Sequence, residues 1–224
     1  MKHIRFFLSL LIALVMVVGT SCIGEPKEKW YYILDENKEW LQFDTTTPVL
    51  FVDNFGIHQS FWGAGKTCSF SEGGSFVFGI QTERSFSENC YVNKFSTHGF
   101  TLSMSLRASL AYNGDNLYVR LGETDFMFDL LHQEVFSVSL GFVHRISKTK
   151  FDRGYSELPH INSNVLFHDS LTVNGVIYPR VMELTLKDLQ QHWNDFTVTN
   201  ILIAKGVGLL QFRLNSGVVI TRLR

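Results

Sequence analysis

The sequence predicts a mainly β protein: a single antiparallel β domain (a curved sheet, half-barrel or sandwich) with one short α-helix near the C-terminus. Phe100, Leu102, Met104 and Leu106 alternate with Thr101, Ser103, Ser105 and Arg107. That period of two places apolar side chains on one strand face and polar ones on the other. A sheet with one wet face produces such alternation, whereas parallel strands covered on both faces read as continuous apolar runs. Composition points the same way, because charged residues are only 18% while Phe alone contributes 20 residues, and aromatic side chains suit a half-buried pleated surface. Turn formers also recur between the apolar segments, as in Asp53-Asn54-Phe55-Gly56, Asn174-Gly175 and Asn215-Ser216-Gly217.

Taken in order, Trp30 to Leu34, the polar Asp35 to Lys38 and Glu39 to Phe43 predict a first hairpin, and Pro48 to Val52 with Ile57 to Trp62 a second. Glu72-Gly73-Gly74 is read as a turn leading into Phe76 to Thr82. Strands follow at Phe100 to Arg107, around Leu117 to Leu121, and at Phe136 to Phe142. Ser147 to Asn164 has no sustained period and is read as the longest loop. Leu171 to Val173 and Val176 to Leu186 flank Asn174-Gly175, the signature of a type I′ hairpin turn, and Pro179 marks an edge or a bulge in the second strand. Leu189 and Trp193, four apart, predict a helix over Asp188 to Phe196, and three closing strands run from Val198 to Leu223. Gly206 and Gly208, like Gly175, are expected at a turn or bulge.

The N-terminus carries Lys2 and Arg5, then an apolar run from Phe6 to Val18, then Gly19-Thr20-Ser21 and Cys22. Charged, apolar and small residues in that order form a secretory signal. The run is shorter than the roughly 20 apolar residues that a membrane-spanning helix needs. The ending resembles the lipobox of bacterial lipoproteins, with Thr20 and Ser21 in place and Gly19 where an aliphatic residue is usual. The resemblance implies cleavage before Cys22 and lipid on its thiol, the alternative being an ordinary cleaved signal. The expected organisation is therefore a signal over 1–21, a lipidated N-terminus and polar tether over 22–29, and one β-rich domain over 30–224. Ile23 follows Cys22 where inner-membrane lipoproteins resemble one another in having Asp, which points to the outer membrane.

The chain also resembles a group of Bacteroidota lipoproteins. Val173-Asn174-Gly175-Val176-Ile177-Tyr178, Val181 and Ala204-Lys205-Gly206-Val207-Gly208-Leu209-Leu210 carry the likeness, together with Trp30 to Leu34 and Trp40. Leu202-Ile203 stands where that group has paired tyrosines. The resemblance implies an envelope location and a β fold, and it brings no reaction with it.

Cys68 and Cys90 are the two cysteines left once Cys22 is assigned to lipid, an even pair in an oxidising compartment. They are read either as a disulfide or as two separate buried thiols. Loss of Lys2 and Arg5 with the leader leaves 18 basic against 21 acidic residues, a balance that argues against a nucleic-acid partner. Gly206-Val207-Gly208 lacks the third glycine and following helix of a phosphate loop, and no motif for a cofactor, a metal or a catalytic group is found.

Weaker groupings remain. His160 and His168 with Asp152, Glu157 and Asp169 form the densest titratable cluster, read as a solvated loop first and a hydrolase site second. Asp125 and Asp129 are placed on the wet face of a strand whose Phe126 and Phe128 face inward, with His132 and Glu134 nearby. Trp30, Trp40, Trp62 and Trp193 are core residues or a glycan-stacking platform. The expected function is non-enzymatic: an envelope lipoprotein, held on the membrane through Cys22, that binds an envelope protein or a cell-surface glycan. A carrier of an apolar ligand inside the curved sheet is the alternative.

Overall fold

Hydrogen-bonded pairing links every strand into one sheet in the computed structural model, which describes residues 26–41, 47–63, 65–77, 80–97, 99–108, 114–122, 124–131, 134–140, 163–186 and 195–223. The strands are β1 (Lys27–Tyr31), β2 (Val49–Asp53), β3 (His58–Trp62), β4 (Thr67–Val77), β5 (Ile80–Ser96), β6 (Thr101–Ala108) and β7 (Asp115–Leu121). They continue as β8 (Thr124–Asp129), β9 (Glu134–Leu140), β10 (Ser163–Val173), β11 (Val176–Leu186), β12 (Val198–Ala204), β13 (Gly208–Leu214) and β14 (Val219–Arg222). Twelve of them lie along the path β10-β11-β12-β13-β14-β2-β3-β5-β6-β7-β8-β9. All the ladders on that path are antiparallel. The fold is thus mainly β and antiparallel, and β1, parallel to β5, is the exception.

The sheet curls so that its end strands β9 and β10 come beside each other. One inner face then packs against itself. Leu102, Met104 and Leu106 of β6, Leu117, Val119 and Leu121 of β7, and Met182, Leu184, Ile201, Ile203 and Phe212 from the other half share a single buried cluster. The alternation read over 100–107 lies in register with this face. Phe51, Phe61 and Phe212 meet ring to ring at 5.1 to 6.4 Å, with Phe100 at 5.7 Å from Phe212. Side chains therefore fill that part of the interior. The backbone N–H of Val198 donates to Thr124 Oγ1 at 3.2 Å, tying β12 to β8 across it.

The strand β5 is the longest, and it does two jobs. Its second half lies between β3 and β6. Its first half runs on between β4 on one edge and β1 on the other, forming a three-stranded wing. Cys68 and Cys90 stand directly opposite in the β4–β5 ladder and are joined as a disulfide.

Several sequence expectations change here. Trp30 to Leu41 forms no hairpin: β1 is followed by the short helix α1 (Asp35–Lys38) and a 3-10 turn over Glu39–Leu41, and Gln42 and Phe43 lie outside the described residues. Ile33, Trp40 and Leu41 are buried in the core, so this segment closes over the sheet rather than pairing with itself. Lys27 to Lys29, expected in the tether, pair within β1. Glu72-Gly73-Gly74 is the middle of β4 rather than a turn. A Cβ on Gly74 would stand 2.4 Å from Glu83 O, so glycine serves close approach of two backbones there. The helix expected at Asp188 to Phe196 lies almost wholly outside the described residues, and its last two residues, Asp195 and Phe196, form a turn.

A prediction concerns the disulfide. Cys68 and Cys90 are 22 residues apart, and on the chain-entropy model closing such a loop contributes about 3 kcal/mol. Reduction should lower the urea midpoint accordingly, and an unchanged midpoint in the reduced protein would contradict this.

Candidate functional site

Among the described residues, two places gather polar side chains into defined geometry. The first is where the N-terminal segment meets the sheet. Glu88 Oε2 accepts the backbone N–H of Ile33 at 3.0 Å, and its Oε1 pairs with Lys38 Nζ at 3.0 Å. Asp115 Oδ2 accepts the N–H of Leu34 at 2.9 Å and Asn37 Nδ2 at 2.8 Å. Both carboxylates are buried. Burial pushes the Asp115 carboxyl above its usual value, opposed by the bonds from Asn37 and Leu34. These bonds all go to the chain's own N-terminal segment, so this is a structural clamp. Cys68, Cys90 and Glu88 come close enough to suggest a metal site, but the sulfurs are joined to each other and Glu88 holds Ile33 and Lys38.

The second place is the outer face of β11, β12 and β13. Glu183 and Thr185 of β11, Asn200 and Leu202 of β12, and Gln211 and Arg213 of β13 line a groove of about 570 Å³. Asn200 Nδ2 donates to Glu183 Oε1 at 3.1 Å and to Thr185 Oγ1 at 2.8 Å. His168 Nε2 lies 2.9 Å from Glu183 Oε2. His168 in turn borders a smaller hollow of about 290 Å³ with Trp40, Asp169, Arg180 and Lys205. Both members of the His168–Glu183 pair are partly exposed.

The wall of the groove is the tip of the β10–β11 hairpin. Asn174 and Gly175 take φ of 50° and 74°, the left-handed pair of a type I′ turn. Beyond the reach of β12, whose ladder with β11 begins at Val181, the hairpin overhangs. Pro179 lies in that overhang, where its missing N–H costs no bond to β12. Next to it Arg180 takes φ 49°, a conformation uncommon for a side chain of that size. Leu171 and Val173 pack with Val181, Leu202, Ala204 and Leu210 in a second, smaller core on this outer face. Gly206 and Gly208 take φ of 80° and 89° beside it, where β12 turns into β13.

A scan against protein-family models, a search of curated proteins and a search of solved structures each found no match.

Of the residues singled out from sequence, Cys22, Asp152, Glu157, His160, His132 and Trp193 lie outside the described residues. His168 and Asp169 stand on β10 and not in a loop. Asp125 pairs with Arg120 on the wet face, whereas Asp129 is buried and accepts the N–H of Leu131 at 2.9 Å. The regular β7–β8 ladder keeps Asp129 opposite Asn116 and in phase with Asp125, so it is buried not by a change of face but at the strand end, where its carboxylate caps the following turn. Trp40 is core, in edge contact with Phe167, while Trp30 and Trp62 are exposed. The outer row of Glu183, Thr185 and Asn200 was not singled out from sequence, since its members come from strands that only pairing brings together. Asp115 did carry a signal, being in phase with Leu117, Val119 and Leu121.

The clamp makes a pH prediction. Asp115 titrates higher folded than unfolded, so the folded state binds the extra proton just above the usual value of 3.8. Stability therefore falls as pH rises through that window, and ionised Asp115 is a cost at neutrality. Asp115→Asn keeps an acceptor and should flatten that part of the pH–stability curve. Asp115→Ala should lose about 1 kcal/mol by removing the acceptor of two part-buried donors, the N–H of Leu34 and the amide of Asn37. Urea melts across the acidic range check both, and an unchanged slope in Asp115→Asn would contradict the assignment.

Proposed function

We propose that this chain is a cell-envelope lipoprotein, cut before Cys22 and held through lipid on that thiol, most plainly at the outer membrane. It acts by binding an envelope protein or a cell-surface glycan rather than by catalysis. The order of Lys2 and Arg5, the apolar run, Gly19-Thr20-Ser21 and Cys22 supports the location. The outer-face groove supports the binding role, and one observation carries it. Glu183 is held from two sides, by His168 at 2.9 Å and Asn200 at 3.1 Å, so a carboxylate, a hydroxyl and an amide are presented in one fixed row. Polar side chains locked by their neighbours and lying beside the apolar Leu171 and Leu202 suit a polar partner whose backbone or hydroxyl groups bond along the row.

Two measurements test this. Mass spectrometry of the mature N-terminal peptide should find acyl chains on Cys22, and Cys22→Ser should move the protein out of the membrane fraction. An unmodified peptide would contradict the anchor. Crosslinked envelopes should yield the same partner repeatedly with the wild-type chain and severalfold less with Glu183→Ala or Asn200→Ala. Equal recovery with the variants would remove the groove from the account.

A further inference from the structure

We propose that the aromatic face of the wing is a bilayer-contact surface, lying in the headgroup region of the membrane that holds Cys22. The inference rests on the lipid-anchor reading above.

The even-numbered residues of β1, of β4 up to Gly74 and of β5 from Arg84 to Glu88 share one face, because Trp30 is opposite Phe86, Glu72 opposite Phe86 and Phe70 opposite Glu88 in the two ladders. Trp30 stacks on Phe86 with centroids 4.1 Å apart and planes at 15°. Phe70 meets Trp30 edge-on at 5.2 Å and Tyr32 at 5.6 Å. Trp30 is nevertheless 46% exposed, Tyr32 63% and Phe70 44%. Among the described residues these rings make a contiguous patch that meets water. At its end, Arg84 joins Glu72 at 2.9 Å and Glu28 at 3.7 Å on the same face, giving the patch a charged border.

Chain length decides what covers it. Cys22 precedes Lys27 by five residues, a reach of at most about 18 Å when fully extended. Three residues of strand add about 10 Å before Trp30. A lipid-bearing sulfur at Cys22 therefore keeps the patch within about 30 Å of the acyl chains whatever path the tether takes. Trp and Tyr, with an apolar body and a polar edge, are the side chains that favour the membrane–water interface. Anchoring at this range turns docking of the patch into an intramolecular event, so even a weak preference of the rings for headgroups suffices.

The test uses the lipidated protein extracted from envelopes and reconstituted in vesicles of phosphatidylethanolamine and phosphatidylglycerol. The readout is the Trp30-dependent emission, taken as the difference between wild type and Trp30→Phe. Lipids brominated near the headgroup should remove most of it, aqueous iodide should remove little, and Tyr32→Ser with Phe70→Ser should reverse that preference. If the protein stays on the vesicles but iodide quenches Trp30 and brominated lipid does not, the contact surface is wrong and the anchor stands. If Trp30 is shielded from both quenchers, a protein or a second copy covers the face, and the proposal is overturned. If Cys22 carries no lipid and the protein elutes free of vesicles, the anchor reading fails and the proposal goes with it.

Discussion

Two buried carboxylates, Glu88 and Asp115, decide how the segment from Trp30 to Leu41 is used. A stretch rich in strand formers arrives at Ile33 and Leu34 with two backbone donors to satisfy. Instead of a partner strand it finds Glu88, 55 residues away, and Asp115, 81 residues away. Those bonds stop β1 from running on, and the chain turns through α1 and the 3-10 turn so that Ile33, Trp40 and Leu41 enter the core. Lys38, bonded to Glu88, and Asn37, bonded to Asp115, close the clamp from the helix side. Burying carboxylates costs free energy; Glu88 offsets it by pairing with Lys38 and the buried N–H of Ile33, whereas the donors from Leu34 and Asn37 offset only part of the cost at Asp115.

That clamp also separates the molecule's surfaces. Its inner side belongs to one continuous core shared by both halves of the curled sheet. Beyond the clamp, the wing of β1, β4 and β5 projects with its aromatic face uncovered, and the Cys68–Cys90 disulfide crosslinks β4 to β5 where the wing leaves the main sheet. Across the molecule the β10–β11 hairpin bends over its own sheet and walls the polar groove with Leu171 and Val173. A chain tethered just before β1 would hold the wing near its membrane and leave the groove on β11–β13 for a partner.

Much of this fold is written locally. Over Thr101–Ala108 the inward and outward residues follow strict alternation, and Asn174-Gly175 dictates its own turn. The second hairpin is equally local, since Asp53 Oδ1 accepts the N–H groups of Phe55 and Ile57 and Gly56 takes φ 84°. What was illegible depends on partners far away. Trp30 to Phe43 has hairpin composition, and only the distant Glu88 and Asp115 override it. Gly73-Gly74 has turn composition, and only distant neighbours explain it inside β4, the Glu83 backbone beside Gly74 and the Ser85 hydroxyl beside Gly73. Alternation put Asp129 on the face it shares with Asp125, but the turn that follows the strand buries it there. The groove could not be read at all, because Glu183, Thr185, Asn200, Gln211 and Arg213 acquire meaning only when three strands stand in register.

Native-state hydrogen exchange at the amides of Ile33 and Leu34 tests the clamp most directly. These two N–H groups lie outside every strand ladder, so protection there can come only from Glu88 and Asp115. The account predicts exchange as slow as that of Met104 and Val119 in the core strands, through global opening. It also predicts that Glu88→Ala frees Ile33 and Asp115→Ala frees Leu34. Exchange of both amides at the rate of exposed turns in the wild-type protein would contradict the clamp.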